Sequence, residues 1–238
     1  MSRAIQYVAQ TGSTNADLIA RLRASEPLSE GFWIVADRQT TGRGRQGRTW
    51  FDGGGNFMGS TLVHCAAGDP PLQSLALVAG LAVRAACLPH VPDERHLQLK
   101  WPNDLLLGGA KLAGILLEGE GQSVVIGVGA NLAVAPEIEG RPAAALGGLS
   151  RDEFAEQLAD SLATEIARWR SDGIKPVIAR WEAAAHPRGT SLSVHEAGGD
   201  RTSGTFDGLD ENGALRLRTA NGLVKIVYAG DVALESGE

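Results

Sequence analysis

The alternation of apolar and polar positions divides the chain into a long mixed region and a short β-rich region. Up to about residue 186, strand-like runs alternate with runs that have the three-to-four-residue period of helices. Strands are predicted at 33–36, 57–63, 97–101, 105–107, 112–118 and 124–128, and helices at 14–22, 70–89, 150–169 and from about 176. Beyond residue 187, apolar runs at 191–194, 204–208, 215–217 and 224–228 predict a small closed or nearly closed β-barrel.

Polar residues and glycines mark the ends of these elements. Thr14 followed by Asp17 predicts the N-terminal cap of the first helix, and Ser150 with Glu153 predicts a capping box. Tight turns are predicted at Gly108-Gly109, Gly198-Gly199, Asn212-Gly213 and Asn221-Gly222. The change of pattern predicts a domain of residues 1–186 and a second domain of residues 187–238.

Composition narrows the class of protein. The 238 residues carry a net charge of −6, which disfavours a general nucleic-acid or anionic-membrane binder. The two cysteines cannot make a disulfide framework, so a reducing compartment is expected. No signal peptide is recognisable at the N-terminus, and the apolar stretch 75–83 ends at Arg84, too short for a membrane span. We therefore expect a soluble cytoplasmic protein.

An arginine- and glycine-rich segment at 39–50 is the most informative motif. Arg43, Arg45 and Arg48 carry +3, which leaves −9 on the rest of the chain. Guanidinium groups suit carboxylate and phosphate oxygens, and the intervening glycines let the backbone approach a ligand. Trp50 could cover an apolar ring or stack on a base. The segment predicts an anion-binding loop, while a solvated basic turn and an RNA-binding patch remain alternatives.

A second group of charges flanks a predicted hairpin. Lys100 and Asp104 lie on either side of Pro102, and Lys111 begins an otherwise apolar strand that also contains Gly114. The lysine could face a phosphate or a carboxylate, and the glycine favours close approach of the backbone to a ligand. An exposed hairpin with a surface lysine is the alternative.

Weaker signals come from short polar clusters elsewhere. Ser13, Thr14 and Asn15 could bind a small polar head group, although helix capping explains the first two equally well. Asn131 ends a strand of small residues and could be only a cap. The chain has no P-loop and no Rossmann fingerprint, and its five histidines lack the spacing of a zinc site.

Taken in order, these segments resemble the biotin–protein ligase family. The matching stretches are TGSTNADL, DRQTTGRGRQGRTW, KWPNDLLLGGAKLAGILLE, IGVGAN and DENGALRL…VYAGDVAL. The resemblance implies an α+β fold, with a mixed-sheet catalytic domain followed by a small SH3-like barrel. It implies that biotin and MgATP form biotinyl-5′-AMP, and that the biotinyl group then passes to a lysine of a biotin carboxyl carrier protein. A homodimer is compatible with it.

The resemblance also assigns roles to residues. Biotin would be bound by Ser13, Thr14, Asn15, Gln39, Gly42, Arg43, Gly44, Arg45, Lys111 and Gly114, and ATP by Arg48, Trp50, Lys100, Asn103, Lys111 and Asn131. Lys111, Arg45 and Arg48 would offset the repulsion between carboxylate and phosphate, and Asp104 would orient or deprotonate the acceptor lysine. Mg²⁺ would arrive with ATP, without a site made of protein ligands alone.

Two positions depart from the family pattern. The chain begins almost at the Ser-Thr-Asn motif, so we expect no DNA-binding domain and no repressor function. Gly59 stands where a bulky residue is expected. The nearest rival is a lipoate or octanoate transferase, whose octanoyl-transferring branch needs a nucleophilic cysteine, and neither Cys65 nor Cys87 lies in a recognisable motif.

Overall fold

The computed structural model describes residues 4–196, 199 and 201–235. Its helices are α1 (Thr14–Arg23), α2 (Leu75–Cys87), α3 (Arg151–Asp172) and α4 (Ile174–Ala184). Its strands are β1 (Ile5–Thr11), β2 (Trp33–Gln39), β3 (Phe57–His64), β4 (Leu97–Lys100), β5 (Asp104–Leu107), β6 (Ala110–Glu120), β7 (Ser123–Ala130), β8 (Ser191–His195), β9 (Arg201–Leu209), β10 (Leu215–Arg218), β11 (Val224–Val227) and β12 (Asp231–Leu234).

A seven-stranded mixed sheet forms the larger part of the protein. Its order is β1-β2-β3-β7-β6-β5-β4, with β1 and β2 parallel and the remaining neighbours antiparallel. The two faces differ because side chains alternate along each strand. On one face Phe57, Ile115 and Val128 pack into the main core together with residues of α2, α3 and α4. On the other face α1 covers only a small cluster that includes Leu62 and Val125, and the rest of this face is free for a site.

The sequence predicted the cap of one helix correctly and that of another wrongly. Ser150 and Glu153 form the predicted capping box at the start of α3. At α1 the predicted cap, Thr14, is wrong: the N-cap residue is Ser13, without a side-chain capping bond. The Thr14 hydroxyl instead contacts Gln39 and Ser60 across the fold. The Thr14 hydroxyl therefore forms tertiary hydrogen bonds in place of the local bond that would cap the helix.

The central apolar helix lies where the sequence predicted a helix, at 70–89. Together with flanking 3₁₀ turns, α2 forms a helical stretch over Leu72–His90, which is long and apolar enough by composition to cross a membrane. Leu75, Val78, Ala82 and Cys87 on it are nearly inaccessible and belong to the main core. The stretch is therefore a core helix.

The C-terminal region forms a separate antiparallel sheet of order β11-β10-β9-β8-β12. The two sheets confirm the α+β class, while closure into an SH3-like barrel stays a prediction. Two strands were missed, β1 and β12, because neither has an extended apolar run. Positive φ angles at Gly199, Gly213 and Gly222 fit the predicted turns, and Gly198 lies outside the described residues. The domain boundary near residue 187 also remains a prediction.

Candidate functional site

A cavity of about 900 Å³ opens on the free face of the large sheet. It has the size of a small-molecule site. Its walls are the start of α1, the segment 43–51, β6 and β7, the segment 136–143, and β12 of the C-terminal sheet. Every residue predicted for the site lines it except Gly42: Ser13, Thr14, Asn15, Gln39, Arg43, Gly44, Arg45, Arg48, Trp50, Lys100, Asn103, Asp104, Lys111, Gly114 and Asn131. Gly42 does not line the cavity, and its carbonyl accepts a hydrogen bond from the Trp50 backbone amide.

One end of the cavity is polar and uncharged. Gln39 Oε1 accepts a hydrogen bond from the Thr14 backbone amide at 2.7 Å. The Thr14 and Ser60 hydroxyls lie 2.6 Å apart, and Ser60 donates to Asn15 Oδ1 at 2.5 Å. Thr14, Asn15 and Ser60 are nearly inaccessible. Buried hydroxyls and amides in a connected network make a rigid surface that can exchange hydrogen bonds with an uncharged polar ligand.

Glycines on β7 provide the room between α1, the loop and the sheet. A Cβ at Gly127 would overlap the Asn15 amide, and a Cβ at Gly129 would overlap the Trp50 indole. Gly129 pairs with Gly114 of β6, where a Cβ would lie 3.0 Å from the same indole. The space against the two paired glycines holds Trp50.

A β-bulge brings Lys111 to the cavity. The register between β5 and β6 shifts between Leu105 and Leu106, which pair with Ala113 and Lys111 respectively. One extra residue moves every earlier side chain to the opposite face of the strand. Lys111 thereby shares a face with Gly114, and its Nζ would lie 3.2 Å from a Cβ there.

The other end of the cavity is cationic around one carboxylate. Asp104 Oδ1 lies 2.6 Å from Lys111 Nζ, and Oδ2 lies 3.1 Å from Lys100 Nζ. Burial raises the pKa of Asp104, but attraction to the two lysines outweighs it and holds the pKa below its ordinary value. The carboxylate is therefore charged at neutral pH and is a weak base.

The arginine-rich segment folds over this end as a small hairpin. Gly44 N donates to Arg48 O at 2.7 Å, and Gln46 at the tip has a φ of +55°. Arg45 donates to Asn103 Oδ1 at 3.3 Å, and Arg48 forms an ion pair with Asp231 of β12. Both Arg45 and Arg48 have pKa values lowered mainly by burial. The loop arginines face the cavity and protein partners, which argues against an RNA-binding patch.

Two buried polar atoms in the cavity wall have neither a hydrogen-bond partner nor an ion-pair partner among the described residues. They are Nε1 of Trp50, a donor, and Oδ1 of Asn131, an acceptor. Asn131 is only 2% exposed, and its amide nitrogen donates to the Lys111 carbonyl at 3.3 Å. Unpaired buried groups are costly, so such atoms often mark a ligand position.

The sequence reasoning missed four residues of the site. Ser60 joins the polar end, Glu118 contacts Asn15 and Arg43, and Asp231 pairs with Arg48. Arg141 lines the cavity mouth and contributes to the lowered pKa of Arg48. Glu118 stands in the quoted KLAGILLE stretch, so the motif contained it without a role. Asp231 had no local signal because its partner lies 183 positions earlier.

The glycine at position 59 has a packing explanation. A Cβ on Gly59 would lie within 3.0 Å of Cε1 of the Phe57 ring, which lies over this position on the same face of β3. Phe57 also makes an edge-on contact with Phe154 of α3, with ring centroids 5.0 Å apart. The aromatic ring fills the volume expected from a bulky residue at Gly59.

Together, the mixed sheet and a cavity with a polar end and a cationic end define a small-molecule-binding α+β protein built to hold an anion. Residues 7–131 match the model of the biotin/lipoate A/B protein ligase family, and residues 195–234 match that of the biotin protein ligase C-terminal domain. The chain belongs to the biotin/lipoate A/B protein ligase family, and within it to the biotin protein ligases.

Individual relatives agree over nearly the whole chain. A biotin–[acetyl-CoA-carboxylase] ligase of Paracoccus denitrificans is 36% identical, with 94% of this chain and 98% of the relative covered. One from Mycobacterium tuberculosis is 37% identical, with coverages of 97% and 88%. The solved biotin protein ligase of Aquifex aeolicus in complex with biotin and ATP has a TM-score of 0.84 at 25% identity, with coverages of 99% and 100%.

Proposed function

We propose that the protein is a biotin–[acetyl-CoA-carboxylase] ligase. It joins biotin to ATP as biotinyl-5′-AMP and transfers the biotinyl group to a lysine of a biotin carboxyl carrier protein. The observation that carries the proposal is a single cavity whose uncharged polar end faces a cationic end across a glycine-containing floor. A ligand with a neutral polar head and a carboxylate tail matches that arrangement.

The polar end suits the ureido ring of biotin. A ureido group has one carbonyl acceptor and two N–H donors, and Ser13, Thr14, Asn15 and Gln39 supply hydroxyls and amides of both kinds. The valeryl chain would run past the Asn15 amide and the Trp50 indole, which cover Gly127 and Gly129, toward Lys111. From β3 to β6 this path crosses two strand spacings, about 10 Å.

Adenylation is a reaction between two anions. A carboxylate oxygen of biotin forms a bond to the α-phosphorus of ATP, and the bond to the β-phosphate oxygen breaks to release pyrophosphate. Lys111, Arg45 and Arg48 stand at this end of the cavity and offset both the initial repulsion and the charge that develops on the phosphate. Because these cations are in place before the reaction, little free energy is spent on rearranging them in the transition state.

The substrate form of the nucleotide is MgATP. Among the described residues there is no group of three metal-ligating side chains. The two carboxylates of the cavity, Asp104 and Asp231, are already paired with lysines and with Arg48. In this proposal the phosphates would hold the ion, which would enter with them. Trp50, Lys100, Asn103 and Asn131 lie on the side proposed for ATP, where Trp50 Nε1 and Asn131 Oδ1 can bind the nucleotide.

In the second step the acceptor lysine attacks the biotinyl carbonyl carbon. An amide bond forms, the bond to the AMP oxygen breaks to release AMP, and the proton lost by the amine passes to solvent. Asp104, ionised between two lysines, orients that amine by charge more readily than it removes the proton, because its pKa is low.

The organisation of the molecule around this reaction is also part of the proposal. A catalytic domain of residues 1–186 would be followed by a C-terminal domain of residues 187–238 that contributes Asp231 to the cavity. Cys65 and Cys87 are both free thiols, in keeping with a cytoplasmic location. Assembly into a homodimer is compatible with the family and is left to direct measurement of mass in solution.

Lipoate ligation is the alternative within the family. It is disfavoured because the polar end of the cavity contains hydroxyls and amides, where a dithiolane ring would need an apolar pocket. Pyrophosphate release with ATP separates the two functions. We expect release to depend on biotin and to be absent with lipoate; release with lipoate alone would reverse the assignment.

A further inference from the structure

We propose that Glu118 is a positioning residue. It links the polar end of the cavity, where the ureido ring of biotin would bind, to the arginine-rich loop. The proposal rests on the proposed function for the identity of the ligand. Glu118 stands on β6, beyond the glycine pair, with its side chain about one-quarter exposed. Its two carboxylate oxygens have different partners: Oε2 accepts from Asn15 Nδ2 at 2.7 Å, and Oε1 lies 3.3 Å from Arg43 Nη2.

The direction of the hydrogen bonds at the polar end depends on this carboxylate. Thr14 and Ser60 have one hydroxyl proton each. Because Ser60 donates to Asn15 Oδ1, only Thr14 can donate in the 2.6 Å contact between the two hydroxyls, and this contact is shorter than the 3.1 Å from the Thr14 hydroxyl to Gln39 Oε1. Gln39 Oε1 is then satisfied by the Thr14 backbone amide. The chain runs from Thr14 to Ser60 to Asn15.

Glu118 fixes the end of this chain. A carboxylate can only accept, so the group of Asn15 that faces it must be the NH₂ group. The carbonyl oxygen of Asn15 is thereby directed to Ser60, and the second N–H of the amide stays available to a ligand. A neutral amide in place of Glu118 could donate or accept, and the Asn15 side chain would lose its single orientation.

The same carboxylate holds the loop. Arg43 lies on the first arm of the hairpin, where it pairs with Thr49 across the loop. Its contact with Glu118 ties that arm to β6 beside the pocket that Asn15 lines. Occupancy of the polar end and the position of the loop are therefore coupled through one side chain.

Glu120 provides a matched control for the test. It lies two residues further along β6 on the same face and pairs with Arg23, away from the cavity lining. Glu118→Gln should raise the biotin KM about ten-fold, the effect of losing one charge-assisted hydrogen bond and one ion pair. The ATP KM should stay within two-fold, roughly the scatter of such measurements. Glu120→Gln should change neither.

A double-mutant cycle tests the coupling itself. The effect of Glu118→Gln on the biotin KM should shrink when Asn15 or Arg43 is already alanine. Additive effects, an unchanged biotin KM, equal rises in both KM values, or a variant that fails to fold would each overturn the positioning role. Absence of biotin-dependent pyrophosphate release from the wild-type protein would instead contradict the proposed function.

Discussion

Lys111 and Asp104 form an ion pair inside the cavity, with Nζ 2.6 Å from Oδ1. The same ammonium group also lies over the Trp50 ring, 5.6 Å from the ring centroid. The lysine is thereby held at the cationic end before any substrate arrives. This pre-organisation is the basis of the first two predictions.

Replacement of Lys111 by alanine removes the charge at the point where two anions must meet. Adenylate formation should slow by about 10²- to 10³-fold, in the range seen when one group that stabilises a transition-state charge is lost. Pyrophosphate release under single-turnover conditions measures this directly. Lys175→Ala, an exposed lysine of α4, is the control. A Lys111→Ala variant that releases pyrophosphate at nearly the wild-type rate would exclude the assignment.

Replacement of Asp104 by asparagine separates the two half-reactions. Transfer from preformed biotinyl-5′-AMP should slow more than adenylation, because Asp104 would orient the acceptor amine. The ion pair adds a second effect: adenylation should also fall, by about ten-fold, since Lys111 loses the partner that fixes it. Rapid-quench measurements of each step distinguish these contributions, and equal losses would remove the special role in transfer.

A methyl group at Gly129 tests the position of Trp50. Gly129→Ala would overlap the indole, so the ring must leave the floor of the cavity. We expect adenylation to fall at least about ten-fold while the fold is retained, because overpacking of this kind costs about 1–3 kcal/mol. Gly119→Ala on the neighbouring strand has open space for its methyl group and should behave as wild type. A fully active Gly129→Ala protein would show that adenylation does not require the Trp50 indole to lie against Gly129.

His186 predicts how stability depends on pH. The ring is 5% exposed and packs edge-on against Phe206, and burial, assisted by Lys100, lowers its pKa from 6.5 to about 4. In the unfolded chain the histidine takes up a proton as the pH falls below its ordinary pKa of 6.5. In the folded protein it remains neutral until the pH approaches 4. The free energy of unfolding should therefore decrease as the pH falls from 6.5 to about 4, by about 3 kcal/mol in total.

Urea titrations at several pH values measure that decrease. His186→Phe should flatten the profile over this window, because it removes the group that titrates differently in the two states. His96→Gln, at an exposed position, should leave the slope unchanged. If the His186→Phe protein kept the wild-type slope, another group would be responsible.

Many helices and strands could be predicted from the local spacing of apolar residues, because an element that buries one face has apolar residues at a regular period. The capping box of α3 and the buried strand β3 are such cases. Edge strand β1, with four exposed positions among seven, has little trace of this kind and was missed. The prediction that Thr14 caps α1 was wrong for a different reason. Its hydroxyl contacts Ser60, which is distant in sequence, and does not bond to the start of the helix.

The site was predictable where its chemistry lies in contiguous motifs. The arginine-rich segment and the Lys111 strand were recognised, and the structure brings both to one cavity. The contacts of Glu118 with Asn15 and of Arg48 with Asp231 join residues more than 100 positions apart. No local pattern reports such pairs. Nor does the sequence show the β6 bulge that brings Lys111 to the face shared with Gly114.

Mass spectrometry of an acceptor protein tests the central claim most directly. The protein would be incubated with biotin, MgATP and a biotin carboxyl carrier domain, beside a carrier in which the acceptor lysine is replaced by arginine. We predict the gain of one biotinyl group on the unmodified carrier and none on the lysine variant or without ATP. An acceptor that keeps its original mass while biotin and ATP are present would contradict the ligase assignment.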